Sequence, residues 1–570
     1  MTPHPRGESN VSKLPKSARV RRISIAGAGP RAALLLAMAL TLSPVFSQVE
    51  RSSTPRDQRP APADAAVAAR QRFLEMFARA YFPGRNGQIL IVPREGDIIT
   101  RPDPNYVYMH GSPWPYDVSI PLMFIGPAVK AGTYSLPVVQ QDVAPTLAAA
   151  LGVQMPPTAT GRLLPVLRAG FTAPKAVMLL VLDGMRRDYF DRYAGSMPTF
   201  DALRRRSAWF SHAEINCLPT NTGVGHSNVS TGSDPRVHGI TGVNLFDRVH
   251  QKPHDLFAGG SPQDLMASTL SDVWQLTTAG RAVILAQGSI DRAGTPLAGH
   301  GACQVNGAPV VLAFYDQQTG NWSSGPDCFL LPAYLKERNS SALWAGEPEW
   351  MHHRIDSTVN VRHTALFPAF EADAMVAMID NEPVGADSVA DLILLNYKAA
   401  DFVGHRYGPD SEELRATLGE MDRHLARVLA ALEAKVGKDY LLAVTADHGM
   451  PSSPASPDRW HLVPSIVDLL HEKFDPAGKQ LITSYEAENS QIFVDEERLS
   501  HLSLTLHDLA RFLESQPFIF AAFTQDEVRR AAGALDRSAG LNPPASSRAR
   551  ATRFRSSPSE PGTPGQGQCR

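Results

Sequence analysis

Five side chains of types that ligate metals sit just beyond apolar runs in this sequence. Asp183 follows Ala176–Leu182 (AVMLLVL), Asp401 and His405 follow Ala390–Asn396 (ADLILLN), and Asp447 and His448 follow Tyr440–Thr445. Between the first and second of these places lies Leu218–Asn244, in which Thr222 is followed by Gly223, Gly225 and His226. Mixed carboxylate and imidazole donors suit zinc, and less often manganese or iron. An alcohol is a poor nucleophile at neutral pH unless a metal or a base activates it. Two ions about 4 Å apart would clamp the attacking and leaving oxygens of an in-line displacement. Thr222 is therefore the candidate nucleophile, and Gly223 and Gly225 are places where backbone could approach a phosphoryl oxygen. Each residue alone has a plainer reading: a strand-end Asp as a helix cap, Asp401 and His405 as a surface pair, Asp447-His448-Gly449 as a turn. Several such residues at one edge of one sheet favour the metal reading.

A sheet must hold these residues together. An acid at the C-terminal end of an apolar strand is where open α/β sheets carry their chemistry. The alternation of strands and helices predicts an α/β three-layer sandwich with a mainly parallel central sheet. Gln88–Val92 and Ile120–Gly126 read as further strands. Ser411–Val436 reads as a long amphipathic helix, with Leu414, Leu418, Met421, Leu425, Val428 and Leu432 on one face. Residues 48–80 read as a linker with a short helix, in which Ala69–Tyr81 has helical spacing. Residues 174–530 read as the catalytic domain, with a cap insertion over about 245–380 that shapes a pocket. Residues 531–570, rich in Ser, Arg, Pro and Gly, read as a disordered tail.

With 570 residues the chain is long enough for one large domain with insertions. Its net charge of −2 gives no support to a nucleic acid polymer or a membrane surface as partner. Arg19, Arg21 and Arg22 precede the apolar run Ala32–Leu42 and the small-residue site Val45-Phe46-Ser47. This is the layout of a signal peptide over residues 1–47, too short for a comfortable span, with an uncleaved anchor as the alternative. After cleavage no stable membrane span is expected, and the location is periplasmic or secreted. Export permits disulfides. Of the four cysteines, Cys303 and Cys328 share one insertion and are the preferred pair, and no CxxC spacing suggests a structural zinc site.

Leu182-Asp183-Gly184-Met185, Thr222-Gly223-Val224-Gly225-His226, His238-Gly239-Ile240, Asp401-x3-His405 and Asp447-His448-Gly449 together resemble the alkaline phosphatase superfamily. The nearest branches are the type I phosphodiesterase/nucleotide pyrophosphatases and the threonine-nucleophile alkaline phosphatases. The resemblance spans about residues 81–530. It implies two zinc ions, one held by Asp183, Thr222, Asp447 and His448, the other by Asp401, His405 and a further histidine. The family takes that histidine from a His-Gly-Ser motif near its C-terminus. The match here is His110-Gly111-Ser112, with Tyr116-Asp117 and IPLMFIGP after it, and it precedes the nucleophile. The chain thus resembles a circularly permuted member, with residues 81–168 matching the family's C-terminal part; a rearranged gene is the alternative.

By the same resemblance Asn244 and Arg292 are the candidate substrate-binding residues. Asn244 stands one place late, and Arg292 has no lysine beside it. The implied activity is hydrolysis of a small phosphate ester or nucleotide through a phosphothreonine intermediate. An alkaline phosphatase-type monoesterase is slightly favoured over a phosphodiesterase/nucleotide pyrophosphatase. An inactive rearranged binding protein is the reading from another class.

Overall fold

The computed structural model describes residues 63–538, apart from 251, 302–308 and 347. The expected signal peptide, most of the linker, Cys303 and residues 539–570 lie outside the described residues.

Three apolar runs form the middle of the molecule: β3 (Ala176–Leu182), β9 (Asp391–Tyr397) and β10 (Tyr440–Ala446). Every residue in them is buried, so the sheet is covered on both faces. They are adjacent and parallel, and their ends are level: Leu182 is opposite both Tyr397 and Ala446. The register therefore brings Asp183, Lys398 and Asp447, each the first residue past its strand, to one edge.

Among the described residues the full sheet has ten strands. β1 (Leu122–Ile125) adds to β10 in antiparallel sense, followed by β4 (Ala208–Phe210) and β2 (Gly132–Tyr134). On the other side β5 (Ile284–Gly288) and β6 (Val310–Tyr315) extend β9 in parallel. The short β7 (Trp322–Ser323) and β8 (Phe329–Leu330) flank β6. This is a mainly parallel α/β sandwich.

Segment 245–380 is thus more than a cap. Its apolar runs supply β5 to β8, one whole end of the sheet, together with helices α3 (Asp291–Ala298) and α4 (Phe367–Asn381). A second, antiparallel sheet has the order Ile482–Glu486, Gln491–Val494, Ile89–Pro93, Ile519–Thr524. The upstream strand Ile89–Pro93 lies between two strands from the far end of the chain. Residues 81–168 are therefore woven into both sheets.

The remaining helices follow from local sequence. α2 (Thr222–Thr231) starts behind the cap Asn221, whose Oδ1 accepts from the Val224 N–H at 3.1 Å. α5 (Ala399–Tyr407) follows β9 directly, and α6 (Glu412–Val436) is capped by Ser411 and buries the six apolar residues named above. α1 is longer than its spacing predicted, Ala63–Arg79, and it packs on α7 (Gln525–Ser538). Residues 531–538, assigned to the tail by composition, are helical because Val528 and Ala532 bury on one face. Cys328 is disulfide-bonded and Cys217 is free and buried. Among the described residues no helix is long and apolar enough to cross a membrane.

Candidate active site

The edge formed by β3, β9 and β10 gathers the chemistry. Thr222 is the first residue of α2, and its hydroxyl lies 3.4 Å from His448 Nε2. Asp183, Asp447 and His448 place ligand atoms within 4.8 Å of one another, and so do His110, Asp401 and His448. All are at most 3% exposed. His405 lies outside these two groups, but its Nε2 is 3.3 Å from Asp401 Oδ1, and the His110 Nε2 is 3.7 Å from the same atom. The upstream His110 is thus brought to Asp401 and His405 as expected. Its ring stacks on that of His448 at 3.6 Å.

The three imidazoles are oriented alike. His110 Nδ1 donates to the Thr220 carbonyl at 2.7 Å, His405 Nδ1 to Tyr108 at 2.6 Å, and His448 Nδ1 to Gly449 at 2.8 Å. A carbonyl only accepts, so Nδ1 carries a proton in each ring and Nε2 is the nitrogen turned inward. Metal-ligating histidines are commonly fixed in this way. Charge is concentrated accordingly. Burial disfavours a charged His448, but Asp447, Asp183 and Asp401 push it up to about 10. Burial and the neighbouring His448 and His405 hold His110 well below the ordinary histidine value. Two carboxylate oxygens, Asp401 Oδ1 and Asp447 Oδ2, are buried without a hydrogen-bond donor. Buried carboxylate oxygens need a partner, and inward-facing Nε2 atoms beside them complete a donor set that fits divalent zinc.

Other residues hold this set in place. Asn396 Nδ2 donates to Asp183 Oδ2 at 3.1 Å, and Asn396 Oδ1 accepts from the Ser289 N–H. Gln140 Nε2 donates to the carbonyls of Ala446 and Asp447 at 2.9 and 2.7 Å. The His-Gly-Ser loop is tied through Asp117, whose Oδ2 accepts from Ser112 Oγ at 2.6 Å while its carbonyl accepts from the Gly449 N–H. His238 does not join the site. Its Nε2 contacts Asn228 Oδ1 at 3.0 Å, and it serves the loop after α2.

Gly225 has a different reason from the one the sequence suggested. A Cβ there would lie 2.3 Å from the Asp447 carbonyl oxygen, so glycine is required by the packing of α2 against the end of β10. Arg292, on the first turn of α3, is close enough to Glu488 and Asp183 to be influenced by both, and its Nε is buried without a partner. It lines a cavity of about 500 Å³ with Val243, Asp255, Asp291, Phe314 and Asp316. Asn244 lies against Asn489, whose Nδ2 donates to its Oδ1 at 2.9 Å; Asn489 Oδ1 in turn accepts from the Val243 N–H.

The residue that sequence reasoning missed is Lys398. Its Nζ is 2.7 Å from Asp401 Oδ2, 2.8 Å from Asp183 Oδ1 and 3.1 Å from Thr222 Oγ1. Burial opposes its charge, yet Asp183, Asp401 and Asp447 raise it above the ordinary lysine value. The signal was the register: Lys398 stands one step past β9, as Asp183 and Asp447 do past β3 and β10. Glu488, buried and paired with Arg101, was missed as well.

A family model described as type I phosphodiesterase/nucleotide pyrophosphatase matches residues 177–503. The alkaline phosphatase PafA of Elizabethkingia meningoseptica is 25% identical over 415 residues, covering 62% of this chain and 76% of that protein. The alkaline phosphatase PhoV of Synechococcus elongatus is 28% identical over 336 residues, covering 49% of this chain and 60% of the other. Human ectonucleotide pyrophosphatase/phosphodiesterase family member 5 is 22% identical over 276 residues, covering 48% and 44%. The chain thus spans less than two thirds of the latter two. A crystal structure of a substituted PafA superposes with a TM-score of 0.50 at 23% identity, over 61% of this chain and 78% of that one, which is a likeness of fold.

Proposed function

We propose, since the chain belongs to the type I phosphodiesterase/nucleotide pyrophosphatase family of the alkaline phosphatase superfamily, that it is an exported two-zinc phosphohydrolase working through a phosphothreonine intermediate. The observation that carries this reading is the position of Thr222 Oγ1, buried beside His448 and among the carboxylates of Asp183, Asp401 and Asp447. One ion would be held by Asp183, Thr222, Asp447 and His448, the other by Asp401, His405 and His110. When bound, zinc supplies Lewis-acid charge to the Thr222 hydroxyl and to the phosphoryl and leaving oxygens.

The chain's own residues do the rest. Thr222 Oγ1 attacks phosphorus, its proton passes to solvent, and the bond to the departing ester oxygen breaks. Water then attacks the phosphothreonine, the Oγ1–phosphorus bond breaks, a proton from that water returns to Oγ1 by way of solvent, and phosphate leaves. The start of α2 presents the positive end of its peptide dipoles beside Oγ1, which favours an anionic phosphoryl group. Arg292 is the phosphoryl-binding cation on the α3 side, with Asn244 the further substrate contact. The Arg292 guanidinium in the cavity lining favours a phosphate monoester. The family's own reaction type, together with Ile290 and Asp291 where a second cation would strengthen monoester binding, supports the diesterase as second reading. The upstream placement of His110 supports a permuted chain order.

One preparation tests the reading. Protein recovered from the periplasm or medium should begin near residue 48, contain zinc, and hydrolyse an aryl phosphate faster than an aryl phosphodiester. Thr222→Ala should lower kcat by about 1,000-fold or more while zinc remains bound. Turnover of neither ester with zinc present leaves only the inactive binding protein, and full activity in Thr222→Ala removes the nucleophile assignment.

A further inference from the structure

Lys398 is an unexpected occupant of a metal site. A lysine ammonium has three protons to donate, and here three acceptors surround it: Asp183 Oδ1, Asp401 Oδ2 and Thr222 Oγ1. The two carboxylates belong to the two different ligand sets proposed above, so Nζ ties the sets together and touches the nucleophile. The main chain beneath it is anchored, because the Lys398 N–H donates to Glu371 Oε1 at 2.7 Å. Glu371 is itself held by Ser289 Oγ at 2.5 Å. The backbone is fixed, so any displacement of Nζ must come from rotations of the buried four-carbon stem.

We propose that Lys398 is a built-in competitor for metal. Its ammonium holds the carboxylates and Thr222 in register before metal arrives, and it must leave those oxygens when ions bind. The inference rests on the two-zinc reading. Like charges cannot share the same carboxylate oxygens without strong repulsion, and Arg292 already places a second fixed cation within electrostatic range of Asp183. Lys398 is therefore a positioning residue whose presence makes the site assemble without metal and weakens its grip on metal. A chain with a neutral side chain at this position would depend on zinc for order and would retain zinc more firmly.

The test compares zinc retention in the full chain. Wild type, Lys398→Met and Lys398→Gln are purified with zinc throughout and titrated with a zinc chelator, and bound zinc is read directly. Both variants are expected to need at least tenfold more chelator for half-release. In zinc-free buffer their thermal midpoints should fall below that of wild type, and zinc should restore them. Retention equal to or weaker than wild type overturns the proposal, and so does failure of both variants to fold with zinc present. Wild type that binds no zinc at all refutes the two-zinc reading instead, a result visible before either variant is examined.

Discussion

Glu371 shows how deeply this fold buries an ionisable group beside its site. Its carboxyl is fully buried on α4, with two donors on Oε1 and none on Oε2. Burial pushes it up to about 8, against an ordinary 4.5. Between those two values the folded chain keeps a proton that the unfolded chain has released. The resulting stability is complete below about pH 4.5 and is lost as pH rises to 8, about 5 kcal/mol in all. Glu371→Gln keeps the shape and removes the titration. Urea unfolding at pH 5 and pH 8 should show the variant gaining a few kcal/mol on wild type at the higher pH. A difference that stays flat between the two would mean that the carboxyl does not titrate in that window. At this scale the sequence was informative where side chains could ligate metal: Thr222, Asp183, Asp447, His448, Asp401, His405 and His110 all meet. It was uninformative for Lys398 and Glu371, because an ammonium and a distant glutamate are recognisable only once strand register and helix packing place them.

The elements position the site through their ends. The ends of β3, β9 and β10 are level, and α2 is pressed onto the end of β10 with no room for a methyl group at Gly225. Two substitutions separate this close packing from backbone freedom. Gly225→Ala drives a Cβ to 2.3 Å from the Asp447 carbonyl, whereas Gly223→Ala meets the Gly242 carbonyl at 3.2 Å. Gly225→Ala should cost about 3 kcal/mol or more and displace Thr222, with activity down at least about 100-fold. Gly223→Ala should cost about 1 kcal/mol. Thermal unfolding and kcat on an aryl phosphate read both, and equal effects would contradict the packing argument. The apolar runs and their strand-end acids were legible because a strand buried on both faces leaves a continuous hydrophobic signature. The strands of segment 245–380 were less so, because β7 and β8 have two residues each and their chain is broken by polar turns.

At the scale of the whole molecule, the unusual feature is a site completed from upstream. The family match begins at residue 177, so His110 and strand β1 lie outside it, yet β1 pairs with β10 and His110 meets Asp401. If the order is a permutation, another opening of the same fold should work. The loop around Gly170 is exposed, and α1 packs on α7. A gene opened at Gly170, with Ser538 joined to Ala63 by a flexible linker of about 15 residues, should give a folded enzyme within about tenfold of wild-type activity. An insoluble or zinc-free product would count against permutation. The upstream placement also sets a timetable for biosynthesis. His110 leaves the ribosome roughly 340 residues before His448, which at about 5–20 residues per second is a wait of tens of seconds. Throughout that time the Leu-Met-Phe-Ile core of β1 has no β10 to pair with and is an open edge for other nascent chains. Crowded expression should therefore lose this protein to aggregation during synthesis, with a holding chaperone relieving the loss more than added zinc does.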